Sequence, residues 1–191
     1  MRAALAFALG VVLLTSGLRA DPLPQDLHGR FSQSKAIAGL TRPLLSRGSF
    51  ALSAGKGLVW RTEAPLRSSV VLTARGVFVL DQGAPRRLGA GSEALALMRE
   101  LLSGDAAALA RAFTVSRPEG PPAAGGPWRL VLEPRPGPLA GIFSRIDARG
   151  GAFAESAELL ERSGDRTNIR FSGVQPGAGT LDKAEEALLA D

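Results

Sequence analysis

The chain has 191 residues, with 23 Lys and Arg against 18 Asp and Glu, 45% hydrophobic and 5% aromatic content, no cysteine, no tyrosine and a single histidine. That length suits one domain, or one domain preceded by a processed leader. Without cysteine there is no disulfide framework, thiol nucleophile, zinc-thiolate or iron–sulfur site, and no cysteine to carry a lipid anchor; His28 alone cannot build a multi-histidine metal site. The composition therefore favours binding over catalysis, with no metal and no cofactor.

Residues 1–20 have the layout of a secretory signal: Arg2 is the positive n-region, Ala3 to Leu14 is an unbroken apolar or small run, and Thr15 to Ala20 turns polar. The run is shorter than the ~20 residues a transmembrane helix requires, and Asp21-Pro22-Leu23-Pro24 stops any continuation. Export and cleavage are expected, leaving residues 21–191 as one domain. Removal of Arg2 and Arg19 lowers the formal net charge from +5 to +3. The arginines are scattered, Arg86-Arg87 being the only adjacent pair, so nucleic acid is not an expected partner.

Leu27 to Gly39 predicts an opening strand with Phe31, Gln33 and Lys35 on one face and Arg30, Ser32 and Ser34 on the other. After Thr41-Arg42-Pro43, Ser46 to Ser53 predicts a second strand, and Ala54 to Gly57 a turn into Leu58 to Thr62, where Leu58, Trp60 and Thr62 share a face. Beyond Pro65, Ser68 to Thr73 and Val77 to Leu80 add short strands, so four or five antiparallel strands precede any helix. Ser92 then caps a helix carrying Leu95, Leu97, Met98, Leu101 and Leu102; Gly104 ends it, and Asp105 caps a shorter one from Ala106 to Phe113.

Pro118 to Pro127 predicts a long hairpin tip. Trp128, Leu130 and Leu132 line a face of the following strand, and Pro134 to Pro138 makes a corner. Ile142 to Asp147 is expected to pair with Ala152 to Glu161 across a turn at Ala148 to Gly151, and Ser163-Gly164-Asp165 leads to Thr167 to Gly173, with a short helix at Leu181 to Leu189. The expected fold is mainly β within the α+β class: a curved antiparallel meander with a helical pair on its concave side, either filled or enclosing an apolar cavity.

This order of elements resembles the outer-membrane lipoprotein carrier family, LolA, and its LolA-like relatives met as accessories to lipid or polyketide-type export. The resemblance is carried by Gly29-Arg30-Phe31-Ser32-Gln33-Ser34-Lys35, by Ser46-Arg47-Gly48-Ser49-Phe50, by Gly57-Leu58-Val59-Trp60 with Glu63-Ala64-Pro65 behind it, and by the Asp147 to Gly151 turn. It spans nearly all of the mature chain in element order and is dense from Gly29 to Leu80. It implies a periplasmic, non-enzymatic protein built as an unclosed β-barrel under a helical lid. Such a protein holds acyl chains of a lipidated cargo while an inner-membrane donor and an outer-membrane acceptor hand it on, and it acts as a monomer. Two departures stand out. The family opens with a helix, whereas few mature residues precede Leu27; and the arginine that latches the family's lid falls near Ala54, with only Lys56 close by.

An acyl chain needs apolar area left uncollapsed, at about 0.8 kcal/mol per buried methylene, so ~16 carbons gain on the order of 10 kcal/mol before ordering costs. The candidate lining is Phe31, Phe50, Leu52, Leu58, Trp60, Val70 and Leu72 from the first half of the sheet. Trp128, Leu130, Phe143, Phe153 and Phe171 come from the second half, and Leu95, Met98, Leu101 and Leu102 from the helix. Periodicity assigns these residues a face and does not separate core from cavity.

Two other classes compete with a lipoprotein carrier: an accessory carrier for a different lipid, and a scaffold whose exposed Arg47, Arg61, Arg67 and Arg75 steer it to anionic headgroups or an acidic partner. An enzyme built on His28 with Asp26 and a serine, or on Asp147 with Glu155 or Glu158, lacks any nucleophile-elbow context. Replacing His28 with alanine is accordingly expected to leave function intact, measured as unchanged lipid retention by the purified variant.

Overall fold

A computed structural model describes residues 26–81, 85–89, 92–117 and 126–190. The leader, most of the Pro118 to Pro127 stretch and the Ser92 side chain lie outside the described residues.

Strand β1 (Asp26–Ala36) follows the predicted alternation: Leu27, Gly29 and Phe31 are buried on one face while Arg30 and Ser32 are exposed on the other. It is followed by β2 (Leu44–Ser53), β3 (Gly57–Ala64), β4 (Ser68–Thr73), β5 (Gly76–Leu80) and β6 (Arg86–Gly89). The last of these exceeds the expected four or five strands, because Arg-Arg-Leu-Gly carries no alternation to reveal it. Helices α1 (Ser92–Ser103) and α2 (Ala106–Leu109) come next. Phe113, expected at the end of the second helix, instead opens β7 (Phe113–Ser116) and is buried there.

The second half comprises β8 (Trp128–Pro134), α3 (Pro138–Ile142), β9 (Phe143–Gly150), β10 (Ala154–Glu161), β11 (Arg166–Pro176) and α4 (Lys183–Ala190). Short helix α3 was not expected; Pro138 starts it with the φ that the first helical turn requires. The β9–β10 turn lies three residues beyond its predicted place. Ala148 and Gly150 look like turn residues, but they continue the inward alternation of Ile146 and are buried in the core.

The eleven strands of the described residues form a single sheet in the order β6-β5-β4-β3-β2-β1-β11-β10-β9-β8-β7, each neighbouring pair antiparallel. Two meanders are thus joined through β1 and β11, and the outermost strands β6 and β7 do not meet: the barrel is unclosed, as the sequence predicts. Helix α1 contacts β3 and β4 on one side and β10 on the other. In a flat sheet β4 and β10 would stand roughly 24 Å apart, at about 4.8 Å per strand. A single helix touches both because the sheet curls around it.

The main core fills the concave side, where Leu97, Leu101, Leu102 and Leu109 of the helices meet inward residues from both sheet halves. A smaller cluster lies on the convex side: Val59 and Val71 pack under Leu189 of α4, with Phe78 and Leu80 beside them. One ion pair pins α4 there. Glu185 is fully buried and accepts from the Arg61 guanidinium, from Ser69 Oγ at 2.8 Å and from the Asp182 amide at 2.9 Å. Arg61, read from sequence as a free surface cation, is therefore committed to the fold. Glu185→Ala leaves Arg61 and Ser69 without their acceptor. It is expected to cost about 2 kcal/mol in urea denaturation, at the low side for a broken buried pair because Arg61 retains contact with water, and to expose the C-terminal helix to limited proteolysis.

Candidate functional site

Every predicted lining residue falls in one apolar cluster on the concave side. Phe31, Phe50, Leu52, Leu58, Leu72, Leu101, Leu102, Trp128, Leu130 and Phe171 are buried, whereas Trp60, Val70, Leu95, Met98, Phe143 and Phe153 are partly buried against them. At the centre of the first half stands an aromatic group. The Phe31 and Trp60 rings stack with centroids 3.9 Å apart, Phe50 lies 6.2 Å from Trp60, and Phe171 meets Phe50 and Trp60 edge-on at 5.9 and 6.3 Å. Phe31 on β1 and Trp60 on β3 meet across β2 because the intervening residue is Gly48: a Cβ there would lie 1.8 Å from the Arg61 carbonyl oxygen and 3.0 Å from the Phe31 ring.

Burial along the concave face is graded. Leu58 is buried on β3 while Trp60 and Thr62 are half-buried; Leu72 is buried on β4 and Val70 half-buried; Ala157 is buried on β10 and Leu159 half-buried. On β1 the sequence passes from buried Phe31 to half-buried Gln33 and Lys35. The registers place Leu58, Leu72 and Leu27 toward one end of the sheet, and Thr62, Lys35 and Leu159 toward the other. On β1, β3, β4 and β10 the apolar surface is thus closed at the end bearing the β2–β3 turn and less covered at the opposite end, whereas on β8 and β9 Leu132 and Ile146 stay fully buried at that opposite end.

That opposite end carries charge. Lys35 Nζ donates to Glu161 Oε1 at 2.7 Å and lies 3.6 Å from Asp165. The hydrogen bond to Glu161 raises the Lys35 pKa above the usual lysine value, against the opposing effect of burial. The sequence places Lys35 on the inward face; its acids, contributed by the distant β10–β11 hairpin, were not legible locally.

The helices are held by backbone geometry. Gly104 takes φ +67° to end α1, and a side chain there would strike the Trp128 ring. Asp105 caps α2 by accepting from the Ala108 amide at 2.9 Å, as the sequence indicates. Glu100, buried in α1, accepts from Arg111 at 2.9 Å and ties α1 to the turn that follows α2. Across from them, the β2–β3 turn at Ala54 and Gly55 faces Arg99, Glu100, Asp105 and Arg111 over a cleft of about 470 Å³. Among the described residues no hydrogen bond or ion pair crosses from Lys56 to the helices.

The residues weighed for catalysis have other partners. His28 lies between the Gly177 carbonyl oxygen and the Gln175 side chain, each at 2.9 Å, and Asp26 accepts from the Ala54 amide. Asp147 accepts twice from Arg129, at 2.6 and 3.1 Å, and this guanidinium holds its carboxyl below the usual range. Gly48→Ala forces the β2 and β3 backbones apart. It is expected to cost about 2 kcal/mol or more in urea denaturation and to diminish the near-ultraviolet circular dichroism of the Phe31–Trp60 stack.

No family model matches the chain. It is similar to the curated outer-membrane lipoprotein carrier protein of Pseudomonas syringae pv. tomato, 28% identical over 170 residues that cover 87% of this chain and 75% of the relative. The carrier of the same name from Pseudomonas entomophila is 29% identical over 171 residues with the same coverage. Among solved structures, a LolA superfamily protein from Nitrosomonas europaea aligns with a TM-score of 0.43 and 10% identity over 83% of this chain and 89% of that one. The resemblance read from Gly29 to Leu80 thus extends to curated lipoprotein carriers along most of the chain.

Proposed function

We propose that this chain is a periplasmic, non-enzymatic carrier that shields the acyl chains of a lipidated cargo, a lipoprotein in the leading reading, during transfer toward the outer membrane. Residues 1–20 are its signal peptide and residues 21–191 one half-barrel domain. The observation carrying this reading is the continuous apolar concave face beneath the helix pair, buried toward the β2–β3 turn on β1, β3 and β4 and only partly covered further along those strands. The names of the curated relatives support it at the level of the family.

In this reading Trp60, Val70, Leu95, Met98, Phe143 and Phe153, already half-exposed, are the first to meet an acyl chain, and the buried members of the cluster are reached as α1 moves. Met98 suits such a role because an unbranched thioether adapts to chains of different shape. The gain of about 0.8 kcal/mol per methylene offsets the cost of displacing helix–sheet contacts, so cargo and lid compete for one surface. An inner-membrane donor and an outer-membrane acceptor follow as partners from the direction of transfer.

One observation favours a second reading, a carrier for a non-lipoprotein lipid of an export system: the β2–β3 turn offers no arginine to the helices and stands across a cleft from them. A lid with no ion pair to that turn opens on different terms from one latched by such a pair. Native mass spectrometry of protein purified from its periplasm, with extraction of the bound molecules, is expected to show a near-stoichiometric acylated adduct whose head group identifies the cargo class. A clean apo mass, together with no uptake of a fluorescent fatty acid, would overturn the carrier reading.

A further inference from the structure

The end of the sheet toward which the concave face is less covered is formed by the β1–β2 hairpin tip, the β3–β4 turn and the start of β9. It concentrates exposed apolar side chains. Leu66 is 80% exposed, Leu45 66%, Leu40 57% and Leu44 55%, and Ile142, the last residue of α3 just before β9, is 50% exposed. Scattered surface leucines are unremarked in soluble proteins, but a cluster on projecting turns marks an interaction surface.

The same edge is cationic. Exposed Arg42 and Arg67 lie in the two turns beside Leu40, Leu44 and Leu66. Just behind them, on the convex side, Arg47 and Arg170 occupy one cross-strand row with Ser32 between them, since Arg47 pairs with Ser32 and Ser32 with Arg170. They line a groove of about 540 Å³ with Ser34, Asn168 and Pro65. Among the described residues, neither Arg47 nor Arg170 has an acidic partner, and of the carboxylates around them Glu161 and Asp165 are taken by Lys35, Glu63 by Arg30 and Glu158 by Arg166, with exposed Glu155 lying on the far side of Arg170. The result is two guanidinium groups with Ser32 between them and Ser34 and Asn168 in the next row, set behind a fringe of leucines.

We propose that this edge docks on the surface of an anionic phospholipid bilayer. Leu40, Leu44, Leu45 and Leu66 enter the interfacial layer, and Arg47 and Arg170 receive headgroup phosphate through charge-assisted hydrogen bonds. The pairing of a modest apolar insertion with several cations is the two-signal arrangement that gives reversible membrane attachment. Charge complementarity selects this occupant: an apolar protein groove would match the leucines and leave the arginines unanswered. The inference rests on the surface alone and not on what the concave face carries.

The test is vesicle co-flotation of the purified protein. Binding is expected to vesicles containing phosphatidylglycerol, to be weak on pure phosphatidylcholine and to fall with rising salt. The double variant Leu45→Ser/Leu66→Ser is expected to bind anionic vesicles about five- to tenfold more weakly, and Arg47→Gln/Arg170→Gln to lose a similar factor along with the preference for anionic lipid. Leu88→Ser, an exposed leucine on the edge strand β6 away from this end, serves as the control and should bind as the unaltered protein does. Absence of flotation at low ionic strength would overturn the proposal, as would flotation undiminished in the leucine variant, which would indicate diffuse adsorption of a basic protein. Fluorescent fatty-acid uptake by the same variants is expected to be unchanged, so failure here and failure of the carrier reading are separately visible.

Discussion

The antiparallel pairing of β1 with β11 is the constraint on which the remaining architecture depends. Its register runs from Leu27 opposite Pro176 to Ala36 opposite Arg166, with one irregularity between His28 and Arg30. Each half is otherwise a local meander, with six strands before α1 and α2 and five after them among the described residues. Only this ladder makes one sheet of the two, and only a single sheet can curl far enough for α1 to touch β4 and β10 together. Phe31, on β1, and Phe171, on β11, sit directly opposite each other in that ladder, so the aromatic group of the first half is completed from the second. Forming such a pairing requires closing a loop of well over a hundred residues, which makes the folding of this chain dependent on non-local contacts.

The sheet has two faces with different duties. On the convex side of the first half, α4 covers Val59 and Val71 and is locked by the Arg61–Glu185 pair, while the second half leaves its convex face to arginines paired with Asp147 and Glu158. The concave side, by contrast, is covered by α1 and α2 mainly through apolar contact, reinforced by Glu100 of α1 and Arg111 in the turn that follows α2. The outer helix is thus anchored by a buried ion pair, whereas the inner pair is held by apolar packing and by Arg135 after β8, which donates to the Ala110 and Phe113 carbonyl oxygens. Apolar contacts lack direction and can be exchanged for contacts with an acyl chain at little net cost, whereas a buried ion pair cannot.

The edge bearing Leu40, Leu44, Leu45 and Leu66 connects these features. It lies at the end where the concave face passes from buried Leu58 and Leu72 to half-buried Trp60 and Val70. A protein resting on a bilayer by this edge would present the less covered end of its apolar face to the membrane, so lipid would travel a short path between two apolar phases. The Lys35–Glu161–Asp165 group stands at that end as a polar boundary.

Much of this was open to reading in the sequence. The period of two in Leu27 to Lys35, in Leu58 to Thr62 and in Trp128 to Leu132 assigns each side chain to a face, because successive residues of a strand point in opposite directions. The spacing of Leu95, Met98 and Leu102, together with Gly104 and Asp105, marks the helices and their ends for an equally local reason. The sixteen-residue lining set therefore converged on one cluster, although its members come from eight elements and the β9–β10 turn. What sequence did not reveal is what depends on residues far apart in the chain: that β1 and β11 adjoin, that Arg61 belongs to Glu185 and Lys35 to Glu161, and that small residues such as Ala148 and Gly150 continue a strand rather than turn it. Local periodicity determined which face each residue occupies. Tertiary structure alone decided which faces meet and how completely each is covered, because burial and ion pairing are properties of the assembled sheet and of no single segment.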